Sequence, residues 1–597
     1  MSNYIKFIMG AACCMALTGC IDNNYDLSDI DTTSEFQVKD LVLPVQLDPV
    51  TLSDIINVKD GDQIKEVTIN GKTFFAVEET GEFESDGIEV NTFEADSDPL
   101  ESKTARFKIN GAAGLKKGAK RKADAASAYY LIERVQQNID YEADGIDGSV
   151  RELTSLTYNP LSFVILLTSE KVTDNLGPHL ENLEIQLPKG LVLSNVTANG
   201  YTYNPSDYSP ATGVLHLGTI DVKGGKSEIV ITSTGIDLSS YDHPFKYDAG
   251  SNSGSFSLKS DFTIEDARLT FSTGSDLLAL LGEEIDFTVD YQLTPLVATS
   301  IMGSIAYDLS GTGLDIDPIE LDNLPDFLAD PETNLILANP QIYLNLNNPV
   351  GEFGLGYQSG LEIISFRQEG DKTFNLGSEI TVAGKSGQYN YLLAPDPAAV
   401  SDIPEDFASN IIKMTYPDLG MILSGNGLPE KLDIKLIDPQ IPVQKLTSPF
   451  QLGVELPGMK GTYRFLAPLA LEGDSRIVYT KTEDGWWSDD LADLVITKLE
   501  LSALVSSDLP LDATMAVYPL DKDGNRIQGL TIVPVELPAN SQDREMVFSI
   551  TGESRNLDGV LITATVTPDS QDALSPDQII TLKNIRVKVS GNYTREL

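Results

Sequence analysis

The 597-residue chain has almost no cysteine: Cys13, Cys14 and Cys20 are the whole set, all within the first twenty positions. Beyond Cys20 neither a disulfide nor a cysteine-ligated metal site can form. Histidine is as scarce, at His179, His216 and His243. A catalytic triad needs a histidine beside a nucleophile and an orienting acid, and zinc sites need ligands at short spacing. No two of these histidines stand at helical spacing, so zinc chemistry is not expected. Basic residues are few, 42 Lys+Arg against 89 Asp+Glu, a net charge of −47. That balance argues against nucleic acid or an anionic membrane surface as the main partner. After the N-terminus no apolar run approaches the ~18 residues of a membrane-spanning helix.

What is present is an ordinary globular composition, 41% hydrophobic and 22% charged. At ~100–200 residues per domain the length implies about three to five domains, each able to bury a core.

The first twenty residues carry the clearest message. Lys6 is their only charged side chain, and an apolar run from Phe7 to Leu17 ends in Leu17-Thr18-Gly19-Cys20. The run is too short to span a bilayer and has the layout of an export signal. Leu-Thr-Gly-Cys resembles the lipobox of bacterial lipoproteins. The resemblance implies cleavage after Gly19 and lipidation of Cys20, whose thiol can take the diacylglyceryl group while small Thr18 and Gly19 let a peptidase approach. The acidic stretch that follows, Tyr25-Asp26-Leu27-Ser28-Asp29-Ile30-Asp31, is similar to the mature start of large Bacteroidales-type outer-membrane lipoproteins. That resemblance implies an outer-membrane location, with the surface or the periplasmic face left open. In the same group Asp31-Thr32-Thr33 matches an O-glycosylation pattern, which makes Thr32 a candidate for that modification.

Strand signals dominate the rest. Residues 64–69 and 72–77 flank Asn70-Gly71, the dipeptide that a type I′ hairpin turn requires. Phe256, Leu258, Phe262 and Ile264 alternate with polar residues, as do Leu499, Leu501, Ala503 and Val505, and Ile585, Val587 and Val589. Such period-two patterns between Gly, Pro, Asn and Asp predict half-buried antiparallel strands. Short helices are expected at 275–281, 402–413 and 318–329. The fold class is mainly β, several antiparallel β-sandwich modules in tandem. The expected organisation is a signal peptide (1–19), a flexible acidic tether (20–36), a small β unit (37–98), a linker or long basic loop (99–127), and sandwiches at 128–310, 311–445 and 446–597.

Motifs that would carry chemistry are incomplete. Gly384-Lys385-Ser386 ends like a phosphate-binding loop, but position 379, where that loop needs glycine, is glutamate. Gly354-Leu355-Gly356 lacks the third glycine of a dinucleotide fingerprint. Both read as turns, and no cofactor is expected. Asp521, Asp523 and Asn525 are the best calcium fragment, yet Arg526 and Ile532 occupy positions six and twelve of the would-be loop. The bland reading is an Asp-Gly hairpin turn. Trp486 and Trp487 are the only tryptophans. Adjacent strand residues face opposite ways, so one can be exposed for sugar stacking. Tyr201 and Tyr203 form a second candidate glycan contact. The basic cluster Lys116–Lys122 reads either as a solvated loop or as a processing site at Arg121 and Lys122. The latter fits fimbrillin-type pilus subunits, which share the general layout of lipobox and sandwiches.

The sequence thus points to a lipid-anchored outer-membrane protein with a non-catalytic binding, scaffolding or adhesion role. A glycan-binding lipoprotein of a nutrient-uptake system and a pilus subunit are the alternatives, with a hydrolase third. Partners are the membrane, through Cys20, and a polysaccharide or an envelope protein, with no nucleic acid.

Overall fold

Alternating side chains give strands with one buried face, and this protein is built almost wholly from them. In Tyr357–Phe366 buried and half-buried residues alternate along the whole strand. The computed structural model describes residues 33–45, 49–56, 58, 64–110, 129–272, 284–312, 316–321, 328, 330–485, 494–555 and 557–596. Within them the fold is mainly β and the ladders are antiparallel, except that Ile412–Thr415 runs parallel to Gln388–Ala394. One five-residue α-helix, Leu52–Ile56, is present among the described residues.

The largest sheet is organised around Val150–Thr168, which pairs with Lys226–Asp237, Ile285–Leu293 and Leu296–Asp308. A second set of ladders joins Pro178–Gln186 to Val214–Asp221 and to Arg268–Phe271, and Ser253–Glu265 to Val135–Asp147. Phe256, Leu258, Phe262 and Ile264 are all buried, as their alternation predicts. Leu296–Asp308 also pairs with Lys431–Lys445, which in turn pairs with Tyr357–Phe366, so hydrogen bonds run on into the next unit. A six-stranded sheet there has the order 412–415, 388–394, 341–347, 460–468, 72–84, 64–69. Its edge is the expected hairpin: Ile64–Ile69 pairs with Lys72–Glu84 through Asn70 (φ 51°) and Gly71 (φ 82°), the left-handed pair of a type I′ turn. One apolar cluster runs through both units. A separate one, including Ala503, Val505, Met546 and Ile585, fills the C-terminal sandwich.

Pairing across the chain differs from the modular expectation. Residues 37–98 contribute strands to three sheets. Thr33–Val45 pairs with the C-terminal strand Ile579–Glu596, Lys72–Glu84 pairs with Lys460–Pro468, and Glu94–Ser97 joins strands at 141–142 and 296–297. Thr33–Phe36, expected in the tether, are already hydrogen-bonded to 593–596. Lys103–Asn110, expected in a linker, is a strand on Ile285–Leu293. The strand 460–468, expected in the last sandwich, lies in the middle sheet. The physical reason is that a sheet edge accepts whichever strand completes its hydrogen bonds and covers its apolar face, whatever the sequence separation.

The expected helix at 402–413 is replaced by a 3₁₀ turn, Glu405–Phe407, and the strand Ile412–Thr415. Pro404 precedes that turn, and Phe407 is buried in a small satellite core with Val67, Ala76 and Leu392. Anchoring one aromatic needs a single turn, and the backbone beyond it pairs with a strand instead. Residues 319–320 are a strand, not helix. The expected helix at 275–281 lies outside the described residues.

Candidate functional site

The sequence candidates are dispersed, and most of their polar groups are used locally. Tyr201 donates its hydroxyl to Asp207 Oδ2 at 2.5 Å. The same carboxylate oxygen accepts from the Asn204 backbone N–H at 3.2 Å, while Asn204 caps the turn Pro205–Asp207. Burial, then the Asp207 carboxylate, push the Tyr201 phenol above its ordinary pKa, and burial does the same to Tyr203. Both rings pack against the core. Asp521 Oδ1 accepts the N–H groups of Asp523 and Asn525, each at 2.9 Å, and Gly524 takes φ 78°. That arrangement is the Asp-Gly turn. Among the described residues no group of three or more His, Cys, Asp or Glu side chains is placed to hold a metal ion. Cys20, Thr32, Arg121, Lys122, Trp486 and Trp487 lie outside the described residues.

The two incomplete glycine motifs meet each other. A Cβ at Gly356 would fall 2.2 Å from the Val382 carbonyl oxygen, and one at Gly384 would fall 2.2 Å from that of Gly354. Asn348 ties both segments by donating to the carbonyls of Leu355 and Ala383, each at 2.8 Å. These glycines serve close backbone packing. Two of the three histidines are cross-strand partners of acids: His179 Nδ1 is 3.1 Å from Asp221 Oδ1, and His216 Nδ1 is 3.4 Å from Glu184 Oε2. His179, although it adjoins Pro178, is in a strand.

A cleft of about 430 Å³ stands out instead, where the Asp147–Ser149 hairpin turn meets three other segments. The turn joins Val135–Asp147 to Val150–Thr168. Beside it lie Glu89 and Asn91, Asn252 from a second hairpin, and Tyr307 with Asp308 at the end of Leu296–Asp308. The hairpins touch at Gly148, where a Cβ would sit 2.3 Å from the Asn252 carbonyl oxygen. Asp147 fastens the wall: Oδ1 accepts from the Ser149 N–H at 2.9 Å, and Oδ2 accepts from the Asn91 N–H at 3.1 Å and its Nδ2 at 3.0 Å. Asp308 Oδ1 accepts from the Ser310 hydroxyl at 2.5 Å and its N–H at 2.8 Å, bonds that hold this carboxyl below the usual carboxylate range.

Arg151 is the one cation among the lining residues. Its guanidinium carbon stacks 3.8 Å from the centroid of the Tyr247 ring, whose hydroxyl donates to Asn252 Oδ1 at 2.9 Å. The Arg151 Nε is buried with no acceptor, and no described carboxylate comes within 4.0 Å of the guanidinium. Burial draws the guanidinium below its ordinary pKa, though it stays charged at neutral pH. Sequence reasoning missed this site because its residues come from 89–91, 147–151, 252 and 307–308. The local signal, Asp147-Gly148-Ser149, reads only as a turn.

No family model matches the chain, and no curated protein matches it. A solved structure of a protein described as secreted, from Parabacteroides distasonis, is 18% identical with a TM-score of 0.33, over 48% of this chain and 89% of that one. Tripeptidyl peptidase 2 aligns at 8% identity and a TM-score of 0.12, over 82% of this chain and 37% of that one. Similarities at these scores set neither fold nor activity. No described helix is long and apolar enough to cross a membrane.

Proposed function

We propose that the chain is a lipid-anchored, non-catalytic binding protein of the bacterial outer membrane, and that its cleft takes a hydroxyl-rich ligand, a glycan. The anchor is the Cys20 lipobox. The observation that carries the reading is the composition of the cleft wall. Asn91, Ser149, Asn252, Glu89 and Asp308 offer donors and acceptors, while Ala306 and Tyr307 supply its little apolar surface. Such a wall suits ring hydroxyls and poorly suits an apolar ligand.

The experiment is calorimetric titration of the full chain, as the unlipidated Cys20→Ser variant, against a panel of neutral and acidic oligosaccharides. Binding that Asn252→Ala weakens at least fivefold is the expected result. A folded protein that binds no member of the panel refutes the reading.

A further inference from the structure

Arg151 has an unspent charge. A guanidinium drawn partly out of water normally gains a carboxylate or several carbonyl acceptors. Here it has the Tyr247 ring on one face and no acceptor for Nε, although Glu89, Asp147 and Asp308 all line the same cleft. Stacking on Tyr247 fixes the plane of the fork, and Tyr247 is itself held through Asn252. A fixed planar fork with unused donors fits a carboxylate, which it can bind in two parallel hydrogen bonds.

The carboxylates around it narrow the ligand further. Both oxygens of Asp147 are taken by Ser149 and Asn91, and Asp308 Oδ1 by Ser310. Glu89 and Asp308 Oδ2 remain as acceptors for hydroxyl donors. With three acids against one guanidinium, a ligand of high negative charge is repelled, while one carboxylate on an otherwise neutral, hydroxylated ring is matched group by group. The cleft volume lies within the ~300–1,000 Å³ range of small-ligand pockets.

We infer that the cleft is selective for a sugar bearing a single carboxylate, a uronic acid residue, and that Arg151 is the residue that reads it. This deepens the glycan reading and rests on it.

The test titrates the full-length Cys20→Ser chain with oligosaccharides carrying a single galacturonic or glucuronic acid residue, their neutral counterparts, and a free amino acid and a dipeptide as carboxylate controls. The uronates should bind at least tenfold more tightly than the neutral sugars, and the preference should shrink as salt rises. Arg151→Gln should abolish the preference, bringing uronate affinity down to that of the neutral sugars. Arg151→Lys, which keeps the charge but not the fork, should retain part of it, and an unchanged melting profile certifies the fold of each variant. Equal binding of acidic and neutral sugars overturns this inference and leaves the glycan site standing. Binding of neither overturns both. Arg151-dependent binding of the amino acid or dipeptide in place of sugars overturns the sugar class.

Discussion

Closure of the chain ends is the least expected feature of the fold, and a pair of engineered cysteines tests it directly. Gln37 and Asn592 are opposite one another in the ladder between Thr33–Val45 and Ile579–Glu596. Their side chains point to the same side, with Cβ atoms ~4.5–5.5 Å apart, within reach of a disulfide after a small adjustment. With Cys13, Cys14 and Cys20 replaced by serine, Gln37→Cys/Asn592→Cys carries the only thiols in the chain. The control Gln37→Cys/Lys588→Cys displaces one thiol by four residues, ~13 Å along the strand at ~3.3 Å per residue, which no disulfide spans.

Loop-closure entropy for a loop of about 550 residues comes to about 6 kcal/mol at 25 °C. The C-terminal sandwich has an apolar cluster of its own, so it is expected to open as a separate unit while the sheets before it stay folded, which shortens the effective loop. The expected gain is therefore about 2–4 kcal/mol, or roughly 5–15 °C in the transition of that sandwich. Non-reducing electrophoresis with calorimetry, before and after dithiothreitol, reads both quantities. Equal oxidation of the two pairs, or none in either, would refute the pairing of the chain ends.

Three further outcomes follow from the same structure. Tyr158 is buried, with its hydroxyl 2.9 Å from both Ser233 Oγ and the Gly235 carbonyl oxygen; Tyr158→Phe should cost about 1–2 kcal/mol in urea unfolding, and a loss under 0.3 kcal/mol would contradict that network. Hydrogen bonds from Lys498 and then Lys588 hold the Glu500 carboxyl below its ordinary pKa. A lowered folded pKa contributes stability that is complete above the unfolded value and is lost as pH falls through the folded one. Thermal scans should therefore show Glu500→Gln flattening the acid limb below about pH 4.5, and an unchanged acid limb would count against it. Asp521→Ala removes the acceptor for two turn N–H groups and should destabilise the C-terminal sandwich by about 1 kcal/mol. The wild-type melting curve should be the same in calcium and in chelator, and a calcium-dependent rise would revive the metal reading.

How far the sequence reaches can be judged residue by residue. Asn70-Gly71 specified its hairpin because only residues tolerant of positive φ satisfy a type I′ turn, and that constraint is local. The alternation at 256–264 specified a buried face because side chains alternate sides in any strand. Histidines 179 and 216 gave no sign of being strand partners of Asp221 and Glu184, since a partner across a ladder carries no mark in its own neighbourhood.

By itself, then, the sequence determined the mainly β class, the turns that need left-handed residues, and which faces of the strands are buried. All three follow from backbone sterics and the two-residue period. Only the tertiary structure decided that the first described strand closes the last sheet, that residues 37–98 divide among three sheets, and that Glu89, Arg151, Asn252 and Asp308 share one cleft. Those depend on which unpaired edges and apolar faces meet in space, where the deciding energies are burial and ladder hydrogen bonds between residues hundreds of positions apart.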